Sequence, residues 1–383
     1  MNILIYKFPY SSNFGGQEKN LIELVENLKA RGTNFYLVSS DPVLLEQFKK
    51  RNWFAKKLWA GVEPVYPAGL LLFVLTSIYA LPRLILNLLY YKIFKKIDAL
   101  YCLSLSEKIL ITPWARLLGI KVFWAEHTQI DRWLTRNPYR LFFWLWSYWA
   151  QLITISNAIK FQLIEELGIN KNRIQTIYPG LDIEDYTSQK PLVISVAEEK
   201  LLEQLKNKFV IGAVCRLSKE KGINFLLQAI NLLKKNIPNI CCVIVGDGPE
   251  RKNLEFLAKT LDISELVIFT GFKKNLDPYY HAFDLLAMPS AQKEAFGIVV
   301  VEAMAHGLPV IASESGGLME IITDKQTGYL IPATNSEELA RAINYIYQNP
   351  EEANQIGLAA QEMIIKRFTK EKMVEEFDQA FKN

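Results

Sequence analysis

Short apolar runs alternate with amphipathic segments along the whole chain. In the first half, the runs that predict strands are NILIYKF, NFYLVSS, DALYCLSL, KVFWAEHT, LITIS and RIQTIYPG. In the second half, they are FVIGAVCRL, ICCVIVGDG, LVIFTGF, DLLAMPS and PVIASES. Strands that alternate with helical segments build parallel sheets flanked by helices. The pattern therefore predicts an α/β protein in which each series of strands forms one doubly wound, Rossmann-like domain.

A polar, charged stretch separates the two series of strands. Its sequence, DIEDYTSQKPLVISVAEEKLLEQLKNK, is broken by Pro191 and has the composition of a linker followed by an entry helix. A chain of 383 residues with 50% apolar residues is long enough to bury two cores. We therefore expect an N-terminal domain over residues 1–190 and a C-terminal domain over residues 200–366.

Charge is distributed unevenly between the two halves. Residues 1–190 hold 23 Lys and Arg against 15 Asp and Glu, whereas the remainder holds 21 against 25. A basic half suits an anionic membrane surface, a phosphorylated ligand or nucleic acid, although scattered solvated lysines produce the same bias. No nucleic-acid-binding motif accompanies it, so we expect no nucleic-acid partner.

The cysteines and the first residues both predict a cytoplasmic protein. The four cysteines, at positions 102, 215, 241 and 242, form no C-x-x-C pair and have no zinc-ligand spacing. The opening NILIYKF is short and lacks the basic start and the cleavage site of a signal peptide. We therefore expect neither a disulfide framework nor a zinc site, and we expect a reducing compartment.

A pair of glycines stands between the first predicted strand and the first predicted helix. Gly15 and Gly16 precede QEKNLIELVENLKARG, in which Leu21, Leu24 and Leu28 recur at helical spacing. Glycines at a helix start let a ligand approach the backbone, and the free amides there favour an anion such as a diphosphate. The pair also serves as an ordinary turn, so this motif alone leaves both interpretations open.

The segment EAFGIVVVEAMAHGLPVIAS carries two carboxylates, Glu294 and Glu302. Their separation is slightly over two helical turns, so they would share a face if one helix covered both. The preceding run DLLAMPS would bring Glu294 to the rim of a ligand site, where Phe296, Gly297 and Ile298 would open the helix with free amides. The alternative is that Glu294 is an acidic residue favoured at a helix start and Glu302 a solvated surface residue.

Two cations follow the first strand of the second half, in CRLSKEKG. Arg216 ends the strand, and Lys221 and Gly222 lie at the mouth of the next helix. A forked guanidinium and a compact ammonium beside a helix start suit a diphosphate. The alternative is a solvated loop.

Together these motifs resemble glycosyltransferase family 4. The segments that carry the resemblance are GGQE, AEHT, TISNAIK, YPGLD, CRLSKEKG, VGDGPE, FTGF, MPS, EAFGIVVVE and GGLMEIITDKQTGYLIP. They are specific in the second half and looser in the first, where the acceptor binds. Enzymes of this family retain anomeric configuration, use nucleotide-sugar donors and have the GT-B fold. The resemblance implies two Rossmann-like domains facing across a cleft, with a last helix, 367–383, that crosses back to the first domain.

The resemblance also assigns a diphosphate site. It implies that Arg216 and Lys221 hold the diphosphate of the donor. Assistance would come from the amides after Glu294, at residues Phe296, Gly297 and Ile298, and from the turn at Gly15 and Gly16 across the cleft.

Further roles follow from the resemblance for the rest of the donor. Glu294 would contact the hydroxyls of the donor sugar, Glu302 would bind the ribose, and the loop of Gly271, Phe272 and Lys273 would flank the base. His127, in AEHT, matches the position where the family presents a histidine to the donor sugar. Its neighbours differ from the frequent His-Asp or His-Glu pattern, and a lone histidine is also found as a satisfied interior residue.

The mechanism implied by the resemblance needs no covalent nucleophile. The acceptor hydroxyl would attack from the front face, and the departing phosphate oxygen would help to take its proton. Arg216 and Lys221 would stabilise the leaving charge, and the sequence has no D-x-D motif that would indicate a metal. We therefore expect no metal or other cofactor, and we expect two partners, a nucleotide-diphosphate sugar and a glycan or lipid-linked acceptor.

Two apolar segments of the first half require separate interpretation. Residues 68–91 form an almost purely apolar stretch, and residues 140–152 crowd aromatic side chains together. A membrane-spanning helix is disfavoured, because strands on either side of the first segment should join one sheet. The segments are then either buried helices or helices on an anionic membrane surface. In the second case the cations that face lipid would be Lys92, Lys95, Lys96, Arg132, Arg136 and Arg140.

Other functions share parts of this pattern. A nucleotide-sugar epimerase can have the same two-domain architecture, although the motif set here follows the transferases. A dinucleotide-dependent oxidoreductase is less well supported, because neither GGQEKN nor GDGPER reads as G-x-G-x-x-G. A catalytically silent scaffold would keep the fold, but Arg216, Lys221, Glu294 and Glu302 are all intact.

Overall fold

The computed structural model describes residues 1–8, 15–187 and 194–383, so the centre of the predicted linker, with Pro191, lies outside the described residues. The chain forms two compact units. The N-terminal unit comprises Met1–Gly180 and Glu371–Asn383, and the C-terminal unit comprises Leu181–Lys370. The division falls ten residues earlier than the sequence suggested, because Leu181 pairs with Thr369 and accepts a hydrogen bond from the Lys370 amide at 2.8 Å.

Seven parallel strands form the sheet of the N-terminal unit, in the order β3-β2-β1-β4-β5-β6-β7. The strands are β1 (Asn2–Lys7), β2 (Asn34–Ser39), β3 (Ala55–Lys57), β4 (Ala99–Cys102), β5 (Lys121–Glu126), β6 (Gln151–Thr154) and β7 (Ile174–Thr176). The helices are α1 (Gly16–Ala30), α2 (Pro42–Lys50), α3 (Pro67–Phe94), α4 (Leu105–Leu117), α5 (Arg132–Thr135), α6 (Arg140–Ser147) and α7 (Asn157–Leu167). All six strands predicted for this half are confirmed. The short edge strand β3 was not predicted, because two of its three residues are exposed lysines.

The C-terminal unit contains six parallel strands in the order β10-β9-β8-β11-β12-β13. Its strands are β8 (Phe209–Val214), β9 (Ile240–Val245), β10 (Val267–Gly271), β11 (Leu285–Met288), β12 (Val310–Ser313) and β13 (Tyr329–Ile331). Its helices are α8 (Glu184–Thr187), α9 (Val196–Leu205), α10 (Ile223–Leu233), α11 (Arg251–Thr260), α12 (Asp277–Ala282), α13 (Ile298–Ala305), α14 (Leu318–Ile321), α15 (Ser336–Gln348) and α16 (Pro350–Arg367). The five predicted strands are confirmed, and β13 is an additional edge strand.

The last helix, α17 (Lys370–Lys382), packs in the N-terminal unit. It joins α1 and α2 on one face of the sheet, where their apolar residues share a core with Ile3 and Ile5 of β1. The rings of Phe377 and Phe381 contact Tyr101 edge-on, with centroids 6.2 and 5.6 Å apart. Because side chains alternate along a strand, the neighbouring β1 residues point to the opposite face, which α3, α4 and α6 cover.

Helix α3 is held to this opposite face by one stripe of residues. The buried members of the stripe are Gly69, Phe73, Ala80, Leu84, Asn87, Leu88 and Tyr91. Among them, Asn87 is polar, and its Oδ1 accepts a hydrogen bond from the Tyr6 hydroxyl at 2.9 Å inside the protein. This bond connects the middle of the sheet to the C-terminal half of α3.

We expect the Tyr6→Phe variant to be less stable than the wild type by about 1–2 kcal/mol, because it leaves the buried Asn87 amide without its partner. Tyr90→Phe is the matched control, since the Tyr90 side chain is 44% exposed and its change should stay within about 0.5 kcal/mol. The free energy of unfolding from urea titrations measures both. Equal stability of Tyr6→Phe and the wild type would contradict the assigned bond.

Candidate functional site

The predicted site residues of the C-terminal unit lie at the carboxyl ends of two neighbouring strands. Arg216 and Lys221 follow β8, and Glu294 follows β11. These strands adjoin at the point where the strand order reverses, with β9 on the other side of β8. Ligands of open parallel sheets bind outside the carboxyl ends of the strands at this switch point. The topology therefore brings the three residues to the place where a ligand is expected.

An ion pair joins the two loops at this point. The Nζ atom of Lys221 lies 2.8 and 3.0 Å from the two carboxylate oxygens of Glu294. The Ser290 hydroxyl donates a further hydrogen bond to Glu294 Oε1. The side chains of Lys221 and Glu294 are 22% and 13% exposed, so the pair is partly desolvated and still open to a ligand. Ser290 is a site residue that the sequence analysis missed.

Arg216 stands apart from this ion pair. Its side chain is exposed, and among the described residues it makes no hydrogen bond or ion pair. The loop that carries Arg216 is held by the turn after β9. The Leu217 amide donates to the Asp247 carbonyl at 3.0 Å. Gly246 and Gly248 pack on this loop so closely that neither position has room for a Cβ atom. A long cationic side chain on a rigid loop is free to turn toward an anion.

Gly222 allows the two loops to meet. It has φ +66°, and a Cβ atom there would lie 2.0 Å from the Pro289 carbonyl oxygen. The close approach is completed by a hydrogen bond of 2.8 Å from the Ala291 amide to the Glu220 carbonyl. A side chain at position 222 would push the loops apart and separate Lys221 from Glu294.

The segment around Gly317 supports the Glu294 loop from the other side. The Gly317 amide donates to the Glu294 carbonyl at 2.9 Å, and the Ser315 hydroxyl donates to the Gln292 carbonyl at 2.9 Å. A Cβ atom at Gly317 would lie 2.6 Å from Phe296 Cα. The GGLME motif of the sequence is therefore a support for the loop that presents Glu294.

Helix α13 begins at Ile298, after Glu294. The helix therefore does not cover both carboxylates, and the condition under which Glu294 and Glu302 would share a helical face is not met. Gly297, with φ +116°, ends the loop and starts the helix. In the part of the chain that the structure describes, the amides of Ile298 and Val299 donate to no acceptor. These amides form the positive end of the helix and can bind an anion there.

Phe296 and Glu302 are both buried. Phe296 packs against Phe368, with ring centroids 5.5 Å apart, and anchors the start of α13. Glu302 is 8% exposed and accepts a hydrogen bond of 3.0 Å from the Tyr280 hydroxyl. The interpretation of Glu302 as a solvated surface residue is therefore wrong. Burial, followed by the charge of Glu302, raises the pKa of Tyr280, so this hydroxyl stays protonated and remains a donor. The role of Glu302 toward a ribose stays a prediction.

The loop that follows β10 exposes an aromatic ring. The Gly271 carbonyl accepts from the Gly246 amide at 2.9 Å, which connects this loop to the turn after β9. Phe272 is 71% exposed, and the Lys273 ammonium lies 5.9 Å from the centre of the Tyr279 ring. An exposed ring on a fixed turn offers a face on which a flat heterocycle can stack.

In the N-terminal unit, Gly15 directly precedes α1. Its backbone is extended, with φ −135°, and its amide donates to Glu18 Oε2 at 2.9 Å. That amide is therefore occupied, contrary to the expectation of a bare amide at Gly15. Glu18 also pairs with Lys7, whose Nζ lies 3.3 Å from Asp41 Oδ2. Gly16 is the first residue of the helix, at its positive end.

The Lys7, Glu18 and Asp41 group was missed by the sequence analysis. All three side chains are buried at the carboxyl end of β1, next to the glycine turn. A signal was present, because Glu18 stands three residues after Gly15, the spacing of a capping box. Lysine at the end of an apolar strand was a second signal. The group fixes the start of α1, because Lys7 pairs with the Glu18 carboxylate and that carboxylate accepts a hydrogen bond from the Gly15 amide.

His127 follows β5 and lines a small pocket with Asn20, Leu24, Met373 and Phe377, among others. Burial lowers the pKa of His127 to about 3, and the charges of Lys108 and Lys7 lower it in the same direction. Lys108 is itself buried and paired with Glu126 at 2.9 Å. His127 is therefore neutral near pH 7 and is suited to hydrogen bonding rather than to holding an anion by charge.

We expect His127 to reduce stability in acid. The unfolded chain binds a proton below about pH 6.5, whereas the folded chain does not do so until about pH 3, so the free energy of unfolding falls as the pH falls through this window. Since the ring is partly exposed, we expect a loss of about 1 kcal/mol between pH 7 and pH 5. The His127→Asn variant should lack this loss in urea titrations at the two pH values. The same pH dependence in the variant would contradict the assignment.

Within the described ranges 1–8, 15–187 and 194–383, no group of three or more His, Cys, Asp or Glu side chains is placed to hold a metal ion. The four cysteines are free, and Cys102, Cys241 and Cys242 are buried.

Two family profiles match the chain. The one described as Glycosyltransferase Family 4 matches residues 14–185, and the one described as Glycosyl transferases group 1 matches residues 197–363. The matched ranges correspond to the two units, so each unit carries its own family signature.

Curated relatives match over parts of their length. An uncharacterized glycosyltransferase of Haemophilus influenzae is 36% identical over 151 residues, which cover 39% of this chain and 42% of the relative. The putative glycosyltransferase EpsD of Bacillus subtilis is 28% identical over 274 residues, which cover 68% of this chain and 69% of EpsD. The chain spans about half the length of several other curated relatives that it matches.

A solved structure matches the fold over the whole chain. HepE from Anabaena, in complex with UDP, superposes with a TM-score of 0.82 at 23% sequence identity and covers 100% of both chains. The likeness to HepE shows the fold alone, which is the GT-B fold of two Rossmann-like domains. The two profiles together span most of the sequence, so the chain belongs to glycosyltransferase family 4.

Proposed function

We propose that this protein is a retaining glycosyltransferase that moves a sugar from a nucleotide-diphosphate donor to a hydroxyl acceptor without a metal ion. The observation that carries the proposal is the pairing of Lys221 with Glu294 at the switch point of the C-terminal sheet, 2.8 Å apart. The segments that follow the same two strands also carry the exposed Arg216 and the amides of Ile298 and Val299 at the start of α13, which donate to no acceptor among the described residues. A cation, a carboxylate and free amides together match a phosphorylated sugar.

The donor would be held through its two charged and polar parts. The Arg216 guanidinium, the Lys221 ammonium and the amides of Ile298 and Val299 would bind the diphosphate. Each of these groups donates hydrogen bonds and carries positive charge or partial positive charge, so each attracts an anion. The sugar hydroxyls donate to Glu294. Lys221 then contacts both parts, since it stays beside Glu294 while it faces the phosphate. The exposed Phe272 supplies a stacking surface for the base.

The reaction breaks the bond between the anomeric carbon and the phosphate oxygen and forms a bond from that carbon to the acceptor oxygen. Positive charge grows on the sugar, and negative charge grows on the nucleoside diphosphate. Arg216, Lys221 and the α13 amides stabilise the departing charge, which lowers the barrier. The acceptor hydroxyl attacks on the side that the phosphate leaves, and its proton passes to the leaving phosphate oxygen. Configuration is retained, and no protein carboxylate forms a covalent intermediate.

For the acceptor, we propose a lipid-linked or cell-envelope glycan that reaches the protein at the cytoplasmic face of a membrane. The support is the large apolar surface of the N-terminal unit on α3 and α6. HepE, which shares the fold, was solved with UDP, so uridine donors are the first to examine.

We expect the Glu294→Gln variant to lose turnover by about 100-fold or more, because the amide keeps the shape but loses the charge that pairs with Lys221 and accepts from the sugar. Glu337→Gln, on the exposed start of α15, is the matched control and should retain full turnover. The measurement is the initial rate of nucleoside diphosphate release with acceptor present, together with a thermal unfolding curve of each variant. Undiminished turnover in Glu294→Gln would remove this carboxylate from the site.

We expect one nucleotide sugar in a panel of uridine, guanosine and adenosine donors to raise the thermal midpoint, since a ligand that binds the folded state stabilises it by mass action. The same donor should then be transferred to an acceptor extract in the presence of EDTA. Loss of transfer with EDTA, restored by a divalent ion, would contradict metal independence. An isomerised donor would indicate an epimerase, and donor stabilisation without any product would indicate a silent scaffold.

A further inference from the structure

Helix α3 presents a long apolar face to solvent. The exposed residues on this face include Leu71, Leu75, Ile78, Leu86 and Ile93, which are 61–73% exposed. Their spacing follows the helical repeat, so they form one stripe roughly 33 Å long. In the most apolar 18-residue window of the helix, 22% of the residues are buried. The interpretation of residues 68–91 as a buried helix is therefore wrong for this face.

The helix is long and apolar enough to cross a membrane, yet the fold excludes a crossing. Strand β3 precedes α3 and strand β4 follows it, and both belong to one sheet, with β3 reaching β4 through β2 and β1. A crossing would leave the two ends of the helix on opposite sides of a bilayer. The buried stripe on the other side of α3, with Asn87 bonded to Tyr6, also holds the helix along the sheet.

The apolar surface continues beyond α3. The beginning of α6 lies against the beginning of α3, where the Tyr139 hydroxyl donates to the Leu70 carbonyl at 2.8 Å and the Tyr139 ring packs on Phe73 with centroids 4.8 Å apart. Helix α6 and the residues after it add further exposed side chains, namely Leu141, Phe142, Leu145, Tyr148 and Trp149. We call the exposed apolar residues of α3 and α6 the α3–α6 face.

The charged residues of helix α3 are all basic, whereas an exposed acid, Glu166, lies beside the start of α6, where its carbonyl accepts a hydrogen bond from Arg140 at 2.8 Å. Between Glu63 and Asp98 the sequence contains no acidic residue, and Glu63 itself is buried as a cap on α4. The cations on and around α3 are Lys56, Lys57, Arg83, Lys92, Lys95 and Lys96. The Arg83 guanidinium lies 3.7 Å from the centre of the Tyr79 ring, so a positive charge lies against an exposed aromatic ring of α3. The side chain of Arg132, another predicted contact, lies outside the described residues.

We propose that the α3–α6 face binds the surface of an anionic lipid bilayer, with α3 lying in the plane of the interface. An exposed apolar stripe on a helix that carries cations and no acids complements acyl chains below and anionic headgroups beside it. A second copy of the chain fits less well, because a two-fold interface places the same surface on both sides and would set one cationic border against the other. The proposed function gives this binding a purpose, since it brings a lipid-linked acceptor to the enzyme.

The test is flotation of the full chain with vesicles, which needs neither donor nor acceptor. We expect the wild type to float with phosphatidylglycerol-containing vesicles at low salt and much less with pure phosphatidylcholine. The double variant Leu75→Glu with Ile78→Glu should lower the bound fraction about tenfold or more, because it places two charges in the apolar phase. Leu358→Glu, at a position 54% exposed on α16, is the matched control and should float like the wild type.

Three results would overturn the proposal. One is no flotation of the wild type with anionic vesicles at low salt, and another is equal flotation of the wild type and the double variant. The third is a wild-type dimer that does not float and that the double variant converts to a monomer, which would assign the face to a second copy. Circular dichroism establishes that each variant is folded. Donor stabilisation measured on the same samples separates failure of this proposal from failure of the proposed function.

Discussion

The structure of the candidate site depends on the contact between the loops that follow β8 and β11. Gly222 lets the first loop approach the Pro289 carbonyl, and the Lys221–Glu294 ion pair, 2.8 Å long, closes across the contact. Each charge is partly desolvated, so either one would be costly without the other. A phosphorylated ligand changes this balance, because its anion offers Lys221 a second partner while its hydroxyls offer Glu294 donors. The pair therefore joins the two loops, and under the proposed function it is also the group that a donor engages.

The loops at the carboxyl ends of the strands are fixed in different ways in the two units. In the C-terminal unit, glycines without room for a side chain bring the loops together, as Gly222, Gly246 and Gly317 show. In the N-terminal unit, buried charge fixes the glycine turn, because Lys7 holds Glu18 and Glu18 holds the Gly15 amide. Burial lowers the pKa of His127, and the charges of Lys108 and Lys7 lower it further, so the histidine at the carboxyl end of β5 stays neutral well below pH 7. Burial and nearby charge together suit this residue to hydrogen bonding.

The pairing of strands in the N-terminal sheet decides whether helix α3 can cross a membrane. Its composition fits a membrane-spanning helix, but β3 and β4 at its two ends join the same sheet. Packing on the sheet uses one stripe of the helix, and the remaining apolar surface faces outward. Soluble monomers rarely expose a long continuous apolar surface, so this exposure indicates a binding surface for a membrane or another molecule. Helix α3 itself carries cations and no acids, which favours an anionic occupant.

The sequence by itself determined the α/β class, eleven of the strands and the motifs of the family, because strand periodicity and glycine turns are local properties of the chain. It also named Lys221 and Glu294, and it left open whether one helix covers both Glu294 and Glu302. Tertiary structure decided the rest: that Glu302 is buried against Tyr280, that Lys7 pairs with Asp41, that the second unit begins at Leu181, and that α3 faces outward. These facts depend on contacts between residues far apart in the chain. A local pattern records which side chain is present, and packing alone determines what that side chain meets.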